Sequence, residues 1–422
     1  MVPSTIALII LALLLIVYIT NVIPPVVATL VALVAMTLTN IITPSQAFAG
    51  FGGTAAIMIM GMNVVGAAFF TTGVSAALGR FLYTKGGSNE RVFILICCLM
   101  GFFMGMFINP MAVISLFMPI IDSVESQSGG KIQRKFVYLP TAIASIYGGV
   151  MTAVSTSATV TANGLLNEAT GQNFGFFQPA ILLAPGAILM FILLPTVSYK
   201  LMKKTFTFEA PALPATAGSG SGASEQKVDK TKAAILFAVL VLAICGFAFT
   251  KLNMGLIALT AATILMLTGC ISVKDAIGKI SWSTIILLAA GTGFSAGLQA
   301  SGAADMLANA CIGIAGDSPF MLCAIVFVFT TILSNLMANT NAVLIVAPIA
   351  ISLATALGVD VLPFVLAAAV GAGLSVATIL SNASVTITAS VGYRFKDFMA
   401  YGGLVNALAA ILGVISLKIF FF

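Results

Sequence analysis

The chain reads as long apolar blocks separated by short polar breaks. Blocks at 4–20, 25–40 and 54–71 each have about the ~20 apolar residues that a membrane-crossing helix needs. The first has no basic stretch ahead of it and no clear small-residue cleavage site, so it reads as a span rather than a signal peptide. Residues 72–87, with Arg80 and Lys85, are too short and too amphipathic to cross and suit the membrane interface. Block 91–124 is broken at Asn109-Pro110. Proline has no N–H and clashes with the preceding turn, so two half-length arms should meet there at a polar tip, as a re-entrant hairpin. Block 136–168 is interrupted by Ser155-Thr156-Ser157-Ala158-Thr159, and block 176–199 ends in Lys200, Lys203 and Lys204.

After a Pro-, Gly- and Ser-rich stretch at 205–231, which reads as a flexible cytoplasmic linker, the pattern begins again. Spans are expected at 232–250, 254–270 and 282–298, an interface-like piece at 302–315, a broken hairpin at 319–357, a broken span at 361–391 and a final span at 399–417. Ala47 and Ala276 are 229 residues apart, as are Gly73 and Gly302; Asn109 and Asn339 are 230 apart. The Ser155–Thr159 break lines up with Leu380–Ser384 at a spacing of 225. Two copies of one unit are expected, a first membrane repeat at 1–204 and a second at 232–422.

Composition fits a bilayer and excludes a soluble enzyme: 60% of the residues are hydrophobic and 7% charged, where soluble domains carry about a quarter charged. The expected fold is all-α and integral to the membrane, with about ten transmembrane helices plus two re-entrant hairpins. The net charge of +6 comes from Lys and Arg in scattered short clusters, which argues against nucleic-acid binding. If Arg80, Lys85 and Arg91 are cytoplasmic, sixteen of the eighteen basic residues fall on that side, leaving Lys251 and Lys418 outside. The chain is then a multi-pass protein of the cytoplasmic membrane, and an odd number of crossings per copy makes the repeats inverted. The six cysteines sit in or beside apolar runs without metal-ligand spacing and read as packing residues.

No histidine is present, and no Asp, Glu, Lys or Arg falls clearly at the midplane, so neither a proton relay nor a membrane-embedded catalytic centre is evident. A binding site must use neutral side chains, carbonyls and the ends of broken helices. Helix N-termini suit anions; freed carbonyls and hydroxyls suit Na⁺. The candidate substrate groups are Asn109, Thr156, Ser157, Asn339, Thr340, Asn382 and Ser384. The candidate Na⁺ groups are Asn109, Ser155, Ser334, Asn339 and Ser381, with Thr159, Asn335 and Asn341 in the same clusters. No cofactor is expected beyond Na⁺ as coupling ion. The function expected is secondary active transport of a small anion, with an arsenite-type exporter, a cation/proton antiporter or an anion channel as alternatives.

The segment VGYRFKDF at 391–398 resembles the GYRF-x-DF signature of permeases of the divalent anion/sodium symporter family, within the ion transporter superfamily. STSATVTANGLL with the later FGFF at 174–177 is similar to that family's first-repeat break and its sequel. Asn339-Thr340 followed by Pro348-Ile349, and Asn109 followed by Pro119-Ile120, resemble its Ser-Asn-Thr hairpin tips and their apolar arms. Here Ala338 stands for the Ser of the second tip, Ile108 and Pro110 flank Asn109, Ser155 replaces a frequent Gly and Thr159 a frequent Asn. The resemblance implies an elevator mechanism, a homodimer, Na⁺ near both tips, and a di- or tricarboxylate or sulfate between them.

Overall fold

The computed structural model describes residues 2–20, 22–74, 89–211, 229–250, 252–380 and 382–422, and every regular element among them is a helix. The first half holds α1 (Pro3–Thr20), α2 (Pro25–Leu38), α3 (Pro44–Ala49), α4 (Thr54–Thr71), α5 (Glu90–Gly105) and α6 (Pro110–Gln127). It continues with α7 (Tyr138–Val150), α8 (Ser157–Thr170), α9 (Gln178–Leu193) and α10 (Tyr199–Thr205). The second half holds α11 (Lys230–Phe249), α12 (Met254–Leu267), α13 (Val273–Gly278), α14 (Trp282–Ala300) and α15 (Ala303–Ala315). After these come α16 (Pro319–Ser334), α17 (Asn339–Leu357), α18 (Leu362–Gly373), α19 (Ala383–Thr388) and α20 (Gly403–Phe421).

Local chemistry sets many of these starts. Side chains of Asn89, Asn109, Asp229, Asn253 and Ser272 accept the first free N–H groups of α5, α6, α11, α12 and α13, while Pro25, Pro44 and Pro110 begin helices where a missing N–H costs nothing. The recurrence of the sequence returns as a recurrence of elements. The starts of α2 and α12, α3 and α13, α5 and α16, and α6 and α17 are each 229 residues apart.

The halves are interleaved rather than laid side by side. Helix α4 packs along α12 and α14 along α2, and the closing helices α9 and α20 pack on each other. Similarly α8 lies on α17 and α18, while α19 lies on α6 and α7. Close approach uses glycine: a Cβ on Gly61 would strike the Ala258 backbone, and one on Gly293 would meet Leu33 and Ala47.

Seven helical segments among the described residues are long and apolar enough to span a membrane, each passing for its length and composition: Pro3–Thr20, Pro44–Thr71, Gln178–Thr205, Lys230–Phe249, Trp282–Ala300, Asn339–Leu357 and Phe395–Phe421. Helices α2 and α12, of 14 residues, and α18, of 12, are apolar but shorter. At 1.5 Å rise per residue, 14 residues reach ~21 Å of a ~30 Å hydrocarbon core. The broken blocks are two-armed, as the sequence suggests: α5 and α6 meet at Asn109-Pro110, α16 and α17 meet before Asn339, and α7 and α8 are separated by residues 151–156. One boundary differs. The second broken span opens at Leu374, after Gly371 and Gly373, and is non-helical over 374–380 and at Asn382, so its interruption begins six residues before the expected Leu380. The interface-like piece at 302–315 is α15, bent 113° away from α16. Of the other interface-like piece, residues 75–88 lie outside the described residues.

The basic end of the bundle is tied by the segment following α10. Phe206 is buried against Tyr393, Tyr401 and Phe136, and Phe208 packs edge-on to Tyr393. Arg134, 6% exposed, reaches Asp122 at 3.3 Å, Glu125 at 3.4 Å and the carbonyl of Pro211. Tyr393 donates to the Lys135 carbonyl at 2.5 Å and accepts from Leu139 N at 3.3 Å. The GYRF-type segment is thereby a clamp between the halves. Tyr393→Phe removes both bonds without changing the ring packing and should cost about 1–3 kcal/mol, read as a lower melting temperature in detergent.

Candidate functional site at the hairpin tips

Each hairpin tip is fastened to the break of its own half. In the first half Ser155 Oγ donates to the carbonyls of Gly105 (2.5 Å) and Ile108 (3.1 Å), and Thr152 Oγ1 donates to that of Met106 (2.8 Å). The Gly105 and Met106 carbonyls are left free by the end of α5, that of Ile108 belongs to the tip itself, and the hydroxyls satisfy all three. In the second half the break again donates to the tip, but two of the acceptors are side-chain amide oxygens. Asn335 Oδ1 accepts from Ala377 N at 3.0 Å, its carbonyl accepts from Thr378 Oγ1 at 2.5 Å, and Asn339 Oδ1 accepts from Ser375 Oγ.

The two fastened pairs touch. Ser157, the first residue of α8, shares a 2.8 Å hydrogen bond with Thr340 in the first turn of α17. Thr156 caps α8 by accepting from Thr159 N at 3.3 Å, and its hydroxyl lies 2.8 Å from that of Thr159. Asn109 caps α6, accepting from Met111 N at 2.9 Å. Asn382 caps α19 through Ser384 N, also at 2.9 Å, and Ser384 is buried. Three helix N-termini, of α6, α8 and α17, therefore meet residues of the tips and breaks, and their partial positive ends favour an anion.

The expected site residues divide accordingly. Asn109, Ser155, Thr156 and Ser157 line one small cavity of about 30 Å³. Thr340 touches one of its lining residues, Ser157, and Asn339 is bonded to Ser375 of the second break, whereas Asn382 and Ser384 sit at the start of α19, the helix on α6 and α7. Ser334 is fully buried at the end of α16 and donates to the Thr331 carbonyl at 3.1 Å, inside its own helix. Ser381 lies outside the described residues. Asn341, 1% exposed, has a buried Oδ1 with no hydrogen-bond partner among the described residues. Among the described residues, none that lines the cavity is ionisable.

Sequence reading missed the far wall of that cavity. Asn63 of α4, Ser281 and Thr284 line it together with Asn109 and Ser155 to Ser157. Nothing local marks them: Asn63 is a single amide in an apolar helix, and Ser281 and Thr284 flank the only tryptophan, Trp282, at a helix start. They are brought to the tip by the packing of α4 and α14 against α8.

An all-helical bundle with unbroken spans, two hairpins and two broken helices meeting at a neutral polar centre defines a membrane transporter. The chain matches the family model described as citrate transporter over residues 8–371 and again over 244–422, and it belongs to that family. An uncharacterized transporter of Synechocystis is 34% identical over 36% of this chain, an alignment spanning only 24% of that protein's length. An uncharacterized transporter of Methanocaldococcus jannaschii is 24% identical over 79% of this chain and 76% of its own. A sodium-dependent dicarboxylate transporter of Staphylococcus saprophyticus is 22% identical over 96% of this chain and 83% of its own. The crystal structure of the Alcanivorax borkumensis YdaH transporter superposes with a TM-score of 0.57 at 15% identity, covering 89% of this chain and 87% of that one, a likeness of fold. The resemblance read from the GYRF-type segment and the tips thus holds at the level of family and fold, and the protein is a transporter, not an enzyme.

Proposed function

We propose that the protein is a secondary active transporter of the cytoplasmic membrane that moves a small di- or tricarboxylate, or sulfate, coupled to Na⁺. The observation that carries this reading is the meeting of two fastened tip-and-break pairs at the Ser157–Thr340 hydrogen bond, among helix N-termini and without an ionisable group in the cavity wall. An anion is held by N–H groups, hydroxyls and amides; Na⁺ takes up carbonyl and hydroxyl oxygens at the same tips. Asn109, Thr156, Ser157, Asn339, Thr340, Asn382 and Ser384 serve the anion, and Asn109, Ser155, Asn339 and the neighbouring carbonyls serve Na⁺. Ser334 and Ser381 belong to the second Na⁺ cluster by their position next to the tip and the break.

Residues 1–204 and 232–422 are inverted repeats joined by the cytoplasmic linker 205–231. The hairpins with α7, α8, α18 and α19 form the moving body of an elevator, and the remaining helices form a dimerising scaffold. The sodium-dependent dicarboxylate transporter that aligns along nearly the whole chain supports both the anion class and the ion. In proteoliposomes, radiolabelled succinate, citrate or sulfate should accumulate when a Na⁺ gradient is imposed and equilibrate without one. Accumulation driven by a pH gradient alone, or flux without trans-stimulation, would replace this reading by a proton-coupled carrier or a channel.

A further inference from the structure

The cavity beside the first tip has a wall that the tip-and-break scheme leaves unused. Asn63 lines it from the middle of α4, and its Nδ2 is buried with no hydrogen-bond partner among the described residues. A buried amide nitrogen without a partner has lost its hydrogen bonds to water with nothing in return. Beside it are Ser281 and Thr284, whose hydroxyls are 2.8 Å apart, so that one donates to the other and the second proton is free for a further acceptor. The same cavity is lined by Asn109 and Ser155 to Ser157. The void of about 30 Å³ has room for ~two oxygen-sized groups, counting ~15 Å³ for each water-sized occupant.

Both unsatisfied features are donors, and among the described residues no carboxylate side chain lines the void to accept from them. The geometry points to Asn63, with the Ser281–Thr284 pair, as a recognition element for the anion: the void takes one carboxylate or sulfonyl-type oxygen pair of the substrate, which accepts from Asn63 Nδ2 and from the free hydroxyl. This assignment rests on the anion-transport reading above and adds to it a contact from α4 and α14, outside the hairpins and the broken helices. Substrate specificity is then set jointly by the tip and by the wall it faces. An anion with two oxygens on one centre fits; a halide, with a single centre and no second acceptor, leaves one donor unmatched.

Trp282 provides the measurement. It is the only tryptophan of the chain, half-exposed, and adjoins Ser281, so its emission reports on the lip of this void. Purified full-length protein in detergent with fixed NaCl is titrated with citrate, succinate and sulfate, and the same preparation is assayed for uptake in proteoliposomes. Asn63→Leu keeps the side-chain size and removes the donor; Thr284→Val, at the more open helix start, removes a hydroxyl at constant shape. For the anion that the wild type transports, emission should change on titration, and each variant should need at least tenfold more anion for the half-maximal change, with melting temperatures close to wild type. If both variants titrate at the wild-type concentration, or if wild-type emission ignores an anion that the vesicles take up, the assignment is overturned and the transport reading stands. If none of the three anions is taken up and none changes the emission, both fall together.

Discussion

Uptake by an Asn339→Ala variant is expected to fall at least tenfold while the folded protein survives. Asn339 begins α17, and its Oδ1 accepts from Ser375 Oγ in the break of the same half. The next residue, Thr340, holds Ser157 of the other half at 2.8 Å. Loss of the amide removes the link between tip and break at the point where the halves touch. The lost bond is worth about 1–3 kcal/mol, and about 1.4 kcal/mol is already a factor of ten in occupancy of the competent geometry. Stability depends on it less, because Asn335 and Thr378 still fasten the same tip and α17 is otherwise packed on α8, α14, α15 and α18. Uptake measured per milligram of monodisperse protein separates the two effects: equal losses of uptake and of folded protein would make Asn339 a structural residue.

Gly148→Val should have the opposite signature, loss of the folded protein itself. Helices α5 and α7 approach so closely that a Cβ on Gly148 would overlap the Phe102 carbonyl, while one on Gly105 would overlap that of Ser145. Both obstacles are backbone, which cannot rotate away as a flexible side chain can. The same closeness recurs between α16 and α18, where a Cβ on Gly371 would meet the Phe327 carbonyl. Forcing α5 and α7 apart breaks the hairpin from its break, and overpacking with no room to relax costs several kcal/mol, about 3 or more. No monodisperse peak after detergent extraction is the expected result. A variant that extracts and melts like the wild type would show that the helices can separate without penalty.

The outline of the fold could be read from residues whose effect is local. Pro110 cannot continue a helix, and the structure starts α6 there with Asn109 as its cap. The run from Ser155 to Thr159 competes with backbone bonding, and α8 starts within it, capped by Thr156. The second break was harder to place, because its polar groups, Ser375 and Thr378, are single residues in the apolar stretch LSVATIL, and the glycines before it resemble ordinary packing glycines. Ser334 stands beside the tip in sequence, yet at the end of an α-helix a serine hydroxyl can turn back to a carbonyl of the preceding turn, and it does so. Asn63, Ser281 and Thr284 carry no local signal at all. Their meeting with Asn109 is a product of interleaving, which brings Asn63 and Ser281, 218 positions apart, to the same cavity.

That interleaving sets a timetable for biosynthesis. Helix α8 rests on α17 and α18, and α4 rests on α12, so the first half cannot cover its own polar breaks when it leaves the ribosome. At ~5–20 residues per second, the partner helices, roughly 200 residues further on, arrive about 10–40 s later. During that interval Ser157, whose partner Thr340 belongs to the second half, must be kept from lipid by the insertion machinery or by water held at the membrane face. Chains stalled after the first half should therefore be substrates for quality-control proteolysis, whatever the intrinsic stability of the finished bundle.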